Sequence, residues 1–156
     1  MGLDTPAVRS IDATDLAYRL VVTDVPAGPA ESAAWQGITL GQLIRTIVVR
    51  RKEDDYVFVL VPGGRQIDWP KLRAVLGARR LSLPDQDEAK EATGYERGAI
   101  TPFGATAPWP VVADAAVAQQ GVVAIGAGAR GANFHVDAGQ LLALLGATIA
   151  EVTKPG

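Results

Sequence analysis

Cysteine is absent from the chain, and histidine occurs once, as His135. The first absence excludes a disulfide framework, a thiolate zinc site, an iron–sulfur cluster and a cysteine nucleophile. The second excludes a multi-histidine metal site and leaves any Ser-His-Asp triad a single possible base. Serine is nearly as scarce, with only Ser10, Ser32 and Ser82. Long apolar runs are missing too: stretches such as Val57-Phe58-Val59-Leu60-Val61 fall far short of the ~20 residues of a membrane span. Met1 to Ser10 contains Asp4, Pro6 and Arg9 and lacks the apolar core of a secretory signal. Pro6 also stands where a myristoylation signal at Gly2 needs Ser or Thr. The expectation is a soluble, cytoplasmic protein with no membrane partner.

What is present suits one ordinary domain. The 156 residues are 48% apolar and 21% charged. A chain of this length buries about 68–70% of its unfolded surface and needs no metal or disulfide to fold. The net charge of −2 hides an asymmetry. Between Arg45 and Arg80 lie Arg45, Arg50, Arg51, Lys52, Arg65, Lys71, Arg73, Arg79 and Arg80 against four acids, so that segment carries +5 and the remainder −7. Such a segment either meets a polyanion or forms an ordinary solvated face.

Turn signals divide the chain into short elements without linker or repeat. Leu20-Val21-Val22 reads as a strand, and Pro29 with Glu31, Ala33 and Ala34 as a short helix ended by Gly37. A second short helical stretch is expected over Leu40 to Ile44. Thr46 to Arg50 and Tyr56 to Val61 form a hairpin pattern around the charged turn Arg51-Lys52-Glu53-Asp54-Asp55. Asp68 caps a helix that ends at Gly77, and another helix runs from Pro84 to about Ala92. The glycine-rich stretch Thr93 to Gly104 comes next. Strands are expected at Pro110 to Ala113, Gly121 to Ile125 and Ala132 to Val136, a helix over Asp137 to Leu145, and a closing strand over Thr148 to Val152. The fold class is α+β or mixed α/β: a single compact domain with a mixed, mostly antiparallel sheet flanked by helices.

Several blocks in this order carry a resemblance. Arg45-Thr46 precedes a strand, Pro62-Gly63 precedes a capped helix ending Leu76-Gly77, and Thr93-Gly94-Tyr95 leads into Gly98-Ala99-Ile100-Thr101-Pro102-Phe103-Gly104. Gly126-Ala127-Gly128 completes the set. From about Leu20 to Val152 the chain resembles the YbaK/ProX family of aminoacyl-tRNA editing domains. The resemblance implies a hydrolase that removes a wrongly attached amino acid from tRNA, many members acting on tRNA for proline carrying Cys, Ala or another small residue. Its partner would be the acceptor end of the mischarged tRNA, with a prolyl-tRNA synthetase as a second candidate partner and no DNA. The need is physical: one methylene is worth only ~1–3 kcal/mol in a synthetase pocket, so a second sieve must hydrolyse what the first mischarges.

The resemblance also implies chemistry with little protein acid–base machinery, in which the tRNA's own 2′-hydroxyl and a bound water act. Positioning and backbone N–H donors are then what the protein supplies. Gly98, Thr101, Pro102 and Gly104 fit that role, the alternative being a plain tight turn. Arg45 stands where the family commonly has Lys. A planar fork replaces a point charge there, either clamping a phosphate in two-pronged fashion or serving as a surface arginine at a strand edge. Thr46 would lie beside the terminal adenosine or the ester. Tyr18 either closes the cleft or belongs to the core, and the Thr common in the family's early loop is missing from Ala27 to Glu31. Gly126 and Gly128 match a second glycine loop. Cys-specific members tend to carry Ser where Gly126 stands and Asp where Asn133 stands, which speaks against Cys here, while Asn133 itself could bond the substrate's amino group. His135 reads as a strand histidine, and Trp35, Trp69 and Trp109 as packing residues. Arg50, Arg51, Lys52, Lys71 and Arg73, with Arg79 and Arg80, could track the acceptor stem. No cofactor is expected, because Gly98 to Gly104 lacks P-loop spacing and no dinucleotide fingerprint follows a strand. The competing reading is a module of the same fold that binds a tRNA end or a synthetase without turnover.

Overall fold

The most apolar run of the chain becomes the middle strand of the fold. In the computed structural model, which describes residues 3–156, Asp55–Pro62 is buried along almost its whole length. Gly2, considered above for lipidation, lies outside the described residues. Because side chains alternate across a strand, this segment serves two cores at once. Tyr56, Phe58 and Leu60 enter one cluster, and Val57, Val59 and Val61 enter the other.

In chain order the elements are α1 (Pro6–Asp12), β1 (Arg19–Val22), α2 (Pro29–Gln36), β2 (Ile44–Lys52), β3 (Asp55–Pro62), β4 (Arg65–Ile67), α3 (Trp69–Leu76), α4 (Gln86–Thr93), β5 (Val111–Asp114), β6 (Val122–Gly126), β7 (Ala132–Asp137), α5 (Ala138–Leu145), β8 (Thr148–Ala150) and β9 (Thr153–Pro155), with 3-10 turns at Leu40–Gln42 and Ala115–Gln119. A four-stranded sheet has the order β2-β3-β5-β8, antiparallel in its first pair and parallel in the next two. A three-stranded antiparallel sheet has the order β1-β7-β6. A parallel bridge between Leu43 and Ala124 joins the two. The expected mixed sheet with flanking helices is what forms.

The larger core gathers one face of each of these sheets, including Phe58, Phe134 and Ile125, with α1 and α4 contributing Ile11 and Ala92 and α5 contributing Leu141 and Leu142. Each fully buried side chain of this size contributes about 1.5–3 kcal/mol relative to exposure. The smaller core lies on the other face of β2 and β3, under Leu72 of α3 and Val152.

The structure corrects several expected boundaries. Arg51 and Lys52 are the end of β2 and not part of the turn, which narrows to Glu53-Asp54 with Asp54 in the left-handed region at φ 56°. The expected closing strand splits: β8 pairs with β5, whereas β9 pairs with β4 as a separate ribbon. A buried carboxylate forces that division. Asp114 accepts from the backbone N–H groups of Val152 (3.0 Å) and Thr153 (3.1 Å), pulling the chain out of the sheet between the two short strands. α1 was not expected, although Thr5 caps it through Val8 N–H and Pro6 opens it.

Candidate functional site

β2 presents its two expected functional residues to opposite sides. Thr46 shares a face with Ile44 and Val48, which belong to the larger core, while Arg45 stands exposed on the other face. The Arg45 guanidinium donates through Nη2 to the carbonyl of Arg65 at 2.5 Å. Arg65 is held in turn by Thr153, through Nε to Oγ1 at 2.7 Å and Nη2 to the carbonyl at 3.3 Å. Thr153 hangs from Asp114. A continuous chain of hydrogen bonds therefore runs from the sheet's interior to Arg45, and four of the guanidinium's five N–H donors stay free.

Thr46 is the unusual residue of the strand. Its Oγ1 is buried and has no hydrogen-bond partner among the described residues. Buried hydroxyls are nearly always paired, which singles Thr46 out on this strand. Two residues before Arg45, Leu43 bridges Ala124; two residues after Ala124 comes Gly126. The start of β2 and the end of β6 thus run side by side into the same region.

The first glycine stretch meets them there. A Cβ at Gly126 would lie 3.4 Å from the Ile100 carbonyl oxygen and 3.8 Å from Thr101 Cβ. Thr101 is fully buried, and its hydroxyl sits 3.5 Å from the Phe103 N–H that donates to it. Ala99 N–H donates to the Glu96 carbonyl at 2.9 Å. The N–H groups of Gly98, Ile100 and Thr101 find no protein acceptor among the described residues. Backbone donors without acceptors, on a glycine stretch packed against the strand that runs alongside β2, are the materials of an oxyanion-type site. Pro102, half-buried, follows Thr101 and ends the run of free N–H groups.

Other expected site residues are placed differently. Gly104 serves packing: with φ +66° it lies against α1, where a Cβ would come within 2.4 Å of the Pro6 backbone. Tyr18 belongs to the core margin and does not close a cleft. Its ring meets Phe134 edge-on at 5.0 Å and its hydroxyl bonds Asp12, which together with burial raises its pKa. Asn133, by contrast, is paired directly with Gly126 across β6–β7 and so shares its face, together with His135 and away from Phe134 and the larger core. His135 is a strand histidine as expected. Nε2 lies 2.9 Å from Gln36 Oε1 and Nδ1 3.4 Å from the Arg19 guanidinium, while burial first and Arg19 second lower its pKa.

Gly128, at φ +88°, lines a cleft of about 380 Å³ with Pro6, Gly94, Tyr95 and Arg130. The Tyr95 hydroxyl donates to the Phe103 carbonyl at 2.6 Å, and burial pushes its pKa up to about 12. Sequence reasoning missed Arg130, whose role depends on contacts with Arg97 and Gly98 that no local pattern encodes.

The basic segment folds into two groups. Arg51 and Lys52 join Arg79 and Arg80 around an open cleft of about 560 Å³ beyond the end of α3. Arg51 is matched there by Asp55 at 2.8 Å, and Arg50 outside it by Glu88 at 3.5 Å. Lys71 and Arg73, on α3, do not line this cleft. Trp69 and Trp109 pack as expected, the latter donating to the Ala92 carbonyl at 2.7 Å, whereas Trp35 is 48% exposed and is not a packing residue.

Comparison with known proteins gives a consistent set. The aminoacyl-tRNA editing domain family matches residues 27–144. A protein of Enterococcus faecalis, provisionally named Cys-tRNA(Pro)/Cys-tRNA(Cys) deacylase EbsC, is 27% identical over 125 residues, covering 80% of this chain and 76% of that one. A proline–tRNA ligase of Bacillus cereus is 30% identical over 124 residues, covering 80% of this chain but only 21% of the ligase, so the chain corresponds to about a fifth of that enzyme. Among solved structures, one described provisionally as a trans-editing enzyme for prolyl tRNA synthetase superposes with a TM-score of 0.87 at 25% identity, over 98% of this chain and 99% of the other. The hypothetical protein APE2540 shares the fold with a TM-score of 0.88 at 23% identity, over 96% of this chain and all of the other.

Proposed function

The chain belongs to the aminoacyl-tRNA editing domain family, and from that premise we propose that it hydrolyses, in trans, the ester of a tRNA for proline carrying a small wrong amino acid. The observation that carries the reading is the close approach of Ile100 and Thr101, whose N–H groups find no protein acceptor among the described residues, to Gly126 at the end of β6, the strand that runs beside the start of β2 with its orphaned Thr46 hydroxyl. The names of the relatives from Enterococcus faecalis and Bacillus cereus, and of the trans-editing structure, point to the same substrate class.

The reaction needs few protein groups. Water adds to the ester carbonyl, whose oxygen gathers negative charge, and the N–H groups of the glycine stretch offset that charge. The carbon–oxygen bond to the ribose then breaks, the ribose oxygen takes up the proton lost by the water, and free amino acid and tRNA leave. The neighbouring ribose hydroxyl relays the proton. His135 is engaged with Gln36 and Arg19, and Glu96 pairs with Lys90 at 3.3 Å, so neither is free to serve as base. Arg45 holds a phosphate of the acceptor end with its free N–H donors. The cleft of Arg51, Lys52, Arg79 and Arg80 takes phosphates of the stem. Ile100 and Thr101 close against Gly126 and leave little room there, which favours a small side chain such as Ala, Ser, Cys or 2-aminobutyrate on the amino acid removed.

The test is to incubate the protein with tRNA for proline charged separately with Ala, Cys, Ser, 2-aminobutyrate and Pro, and to follow ester loss beside Arg45→Ala. Multiple-turnover loss of one mischarged species, with Pro spared and the variant inactive, is expected. Stable esters on every tRNA tried, with binding retained, would replace the deacylase by a tRNA-end binding module.

A further inference from the structure

Arg130 lies in the loop between β6 and β7, and its planar fork is used in a particular way. Nε and Nη2 both donate to one backbone carbonyl, that of Arg97, at 3.2 and 3.0 Å. The same side chain covers Gly98: a Cβ placed there would meet Arg130 Nε at 3.3 Å, Cγ at 3.6 Å and Cδ at 3.8 Å. Arg130 is exposed, and no carboxylate pairs with it among the described residues. A solvent-facing arginine that leaves acids aside to grip a carbonyl 33 residues away is holding two loops together.

The loop it grips from is itself anchored. Ala127 N–H donates to the Ala132 carbonyl at 3.0 Å, and the Ala127 carbonyl accepts from Thr5 Oγ1 at 2.6 Å. The loop it grips has a fixed end and a loose one. Ala99 and Thr101 are buried, whereas Arg97 and Gly98 are exposed, and Gly98 sits at φ +88°, a conformation glycine leaves readily. Arg130 supplies the restraint that the exposed end lacks.

Resting on the deacylase reading, we propose that Arg130 is a positioning residue of the ester site: it clamps the Arg97-Gly98 turn so that the N–H groups of Gly98, Ile100 and Thr101 keep one aim. Donors of this kind act only when placed correctly, and a displacement near 1 Å is enough to cost about 100-fold in rate. Lysine, with a point charge and no fork, reproduces one of the two hydrogen bonds and not their shared plane.

The experiment measures kcat and KM of Arg130→Ala, Arg130→Lys, Gly98→Ala and the double variant on the mischarged tRNA, together with amide hydrogen exchange of residues 97–101. Arg130→Ala is expected to lower kcat by about 10- to 100-fold with KM changed less than about 3-fold. Arg130→Lys should recover part of that loss. Gly98→Ala, which displaces the guanidinium, should add little on top of Arg130→Ala. Exchange at Ala99, whose N–H donates to the Glu96 carbonyl across the clamped turn, should quicken in Arg130→Ala while exchange in β3 stays unchanged. A raised KM with kcat preserved would overturn the proposal, because Arg130 would then be a phosphate contact; so would unchanged exchange at Ala99. Wild-type protein inert on every ester would sink the deacylase reading alone, since the exchange measurement still decides the clamp.

Discussion

Replacing Thr46 by valine should move stability and activity in opposite directions. The two side chains share a shape and both suit a strand, so the substitution isolates the hydroxyl. That hydroxyl is buried without a partner, an arrangement costing about 1–3 kcal/mol on scales taken from protein variants. Valine removes this cost and adds a methyl to the face of β2 that carries Ile44 and Val48 in the larger core. Because Thr46 as a whole is only half-buried, the gain belongs at the lower end, about 1 kcal/mol. With a urea slope of roughly 1–3 kcal/mol per molar, the unfolding midpoint rises by about 0.3–1 M. Ester hydrolysis should fall by about 10- to 100-fold, the worth of about 1.4–2.7 kcal/mol of transition-state stabilisation. Thr46→Ser restores the hydroxyl without the methyl, so it should recover turnover and lose stability. Equilibrium urea unfolding and single-turnover hydrolysis on the same preparations give both numbers. A valine variant less stable than wild type would mean the hydroxyl is satisfied in solution, and one with full turnover would remove Thr46 from the site.

Asp114→Ala strands the N–H groups of Val152 and Thr153, both buried, and should cost about 3–5 kcal/mol; Asp114→Asn keeps an acceptor oxygen and should cost about 1 kcal/mol, and equal losses in urea unfolding would refute the chain of bonds to Arg45. Gly104→Ala forces a Cβ to within 2.4 Å of the Pro6 backbone at φ +66° and should lose at least about 2 kcal/mol, a thermal shift being sufficient to check it. Burial, and then Arg19, hold the pKa of folded His135 below the 6.5 of the unfolded chain. Unfolded protein therefore binds the extra proton as pH falls through 6.5, so stability should be full above that value and decline below it, and His135→Gln should flatten the slope in a pH series of urea midpoints. Charge reversal at Arg79 and Arg80 should weaken tRNA binding and make its dependence on salt shallower by roughly 0.7–0.9 for each phosphate no longer neutralised, measured as log affinity against log salt; an unchanged slope would leave that cleft without RNA.

Much of the fold was legible because its signals are local. Asp68, Asp85 and Asp137 each cap a helix through a side-chain bond to the N–H three residues on, and Gly37 and Gly77 end α2 and α3 in the left-handed conformation. Those bonds close within one turn, and sequence carries them. β4 and β9 were not legible: three residues each, and charged, they pair across nearly the whole length of the second half of the chain. Nor was the split between β8 and β9, which depends on the Asp114 carboxylate reaching residues far along the chain. The same division runs through the site. Arg45-Thr46 and the glycine stretches were singled out by the resemblance to the editing-domain family, whereas the opposite facing of Arg45 and Thr46 follows only once β2 is known to be regular there.

The site as placed depends on restraint more than on reactive side chains. Its free donors are backbone N–H groups of Gly98, Ile100 and Thr101 and one hydroxyl, none of which titrates near neutral pH. What makes such groups useful is that water does not already bind them in a relaxed geometry and that they cannot turn away. The fold addresses the second condition by tertiary ties: Thr101 and Ala99 are buried, Gly126 comes close against Ile100, Arg130 covers Gly98, and Tyr95 fixes Phe103 through its hydroxyl. Leaving donors unpaired inside a protein lowers its stability, which is why the Thr46 and Arg130 substitutions separate the two roles. One relieves the unpaired group and should stabilise; the other releases the restraint and should leave the core intact while the chemistry slows.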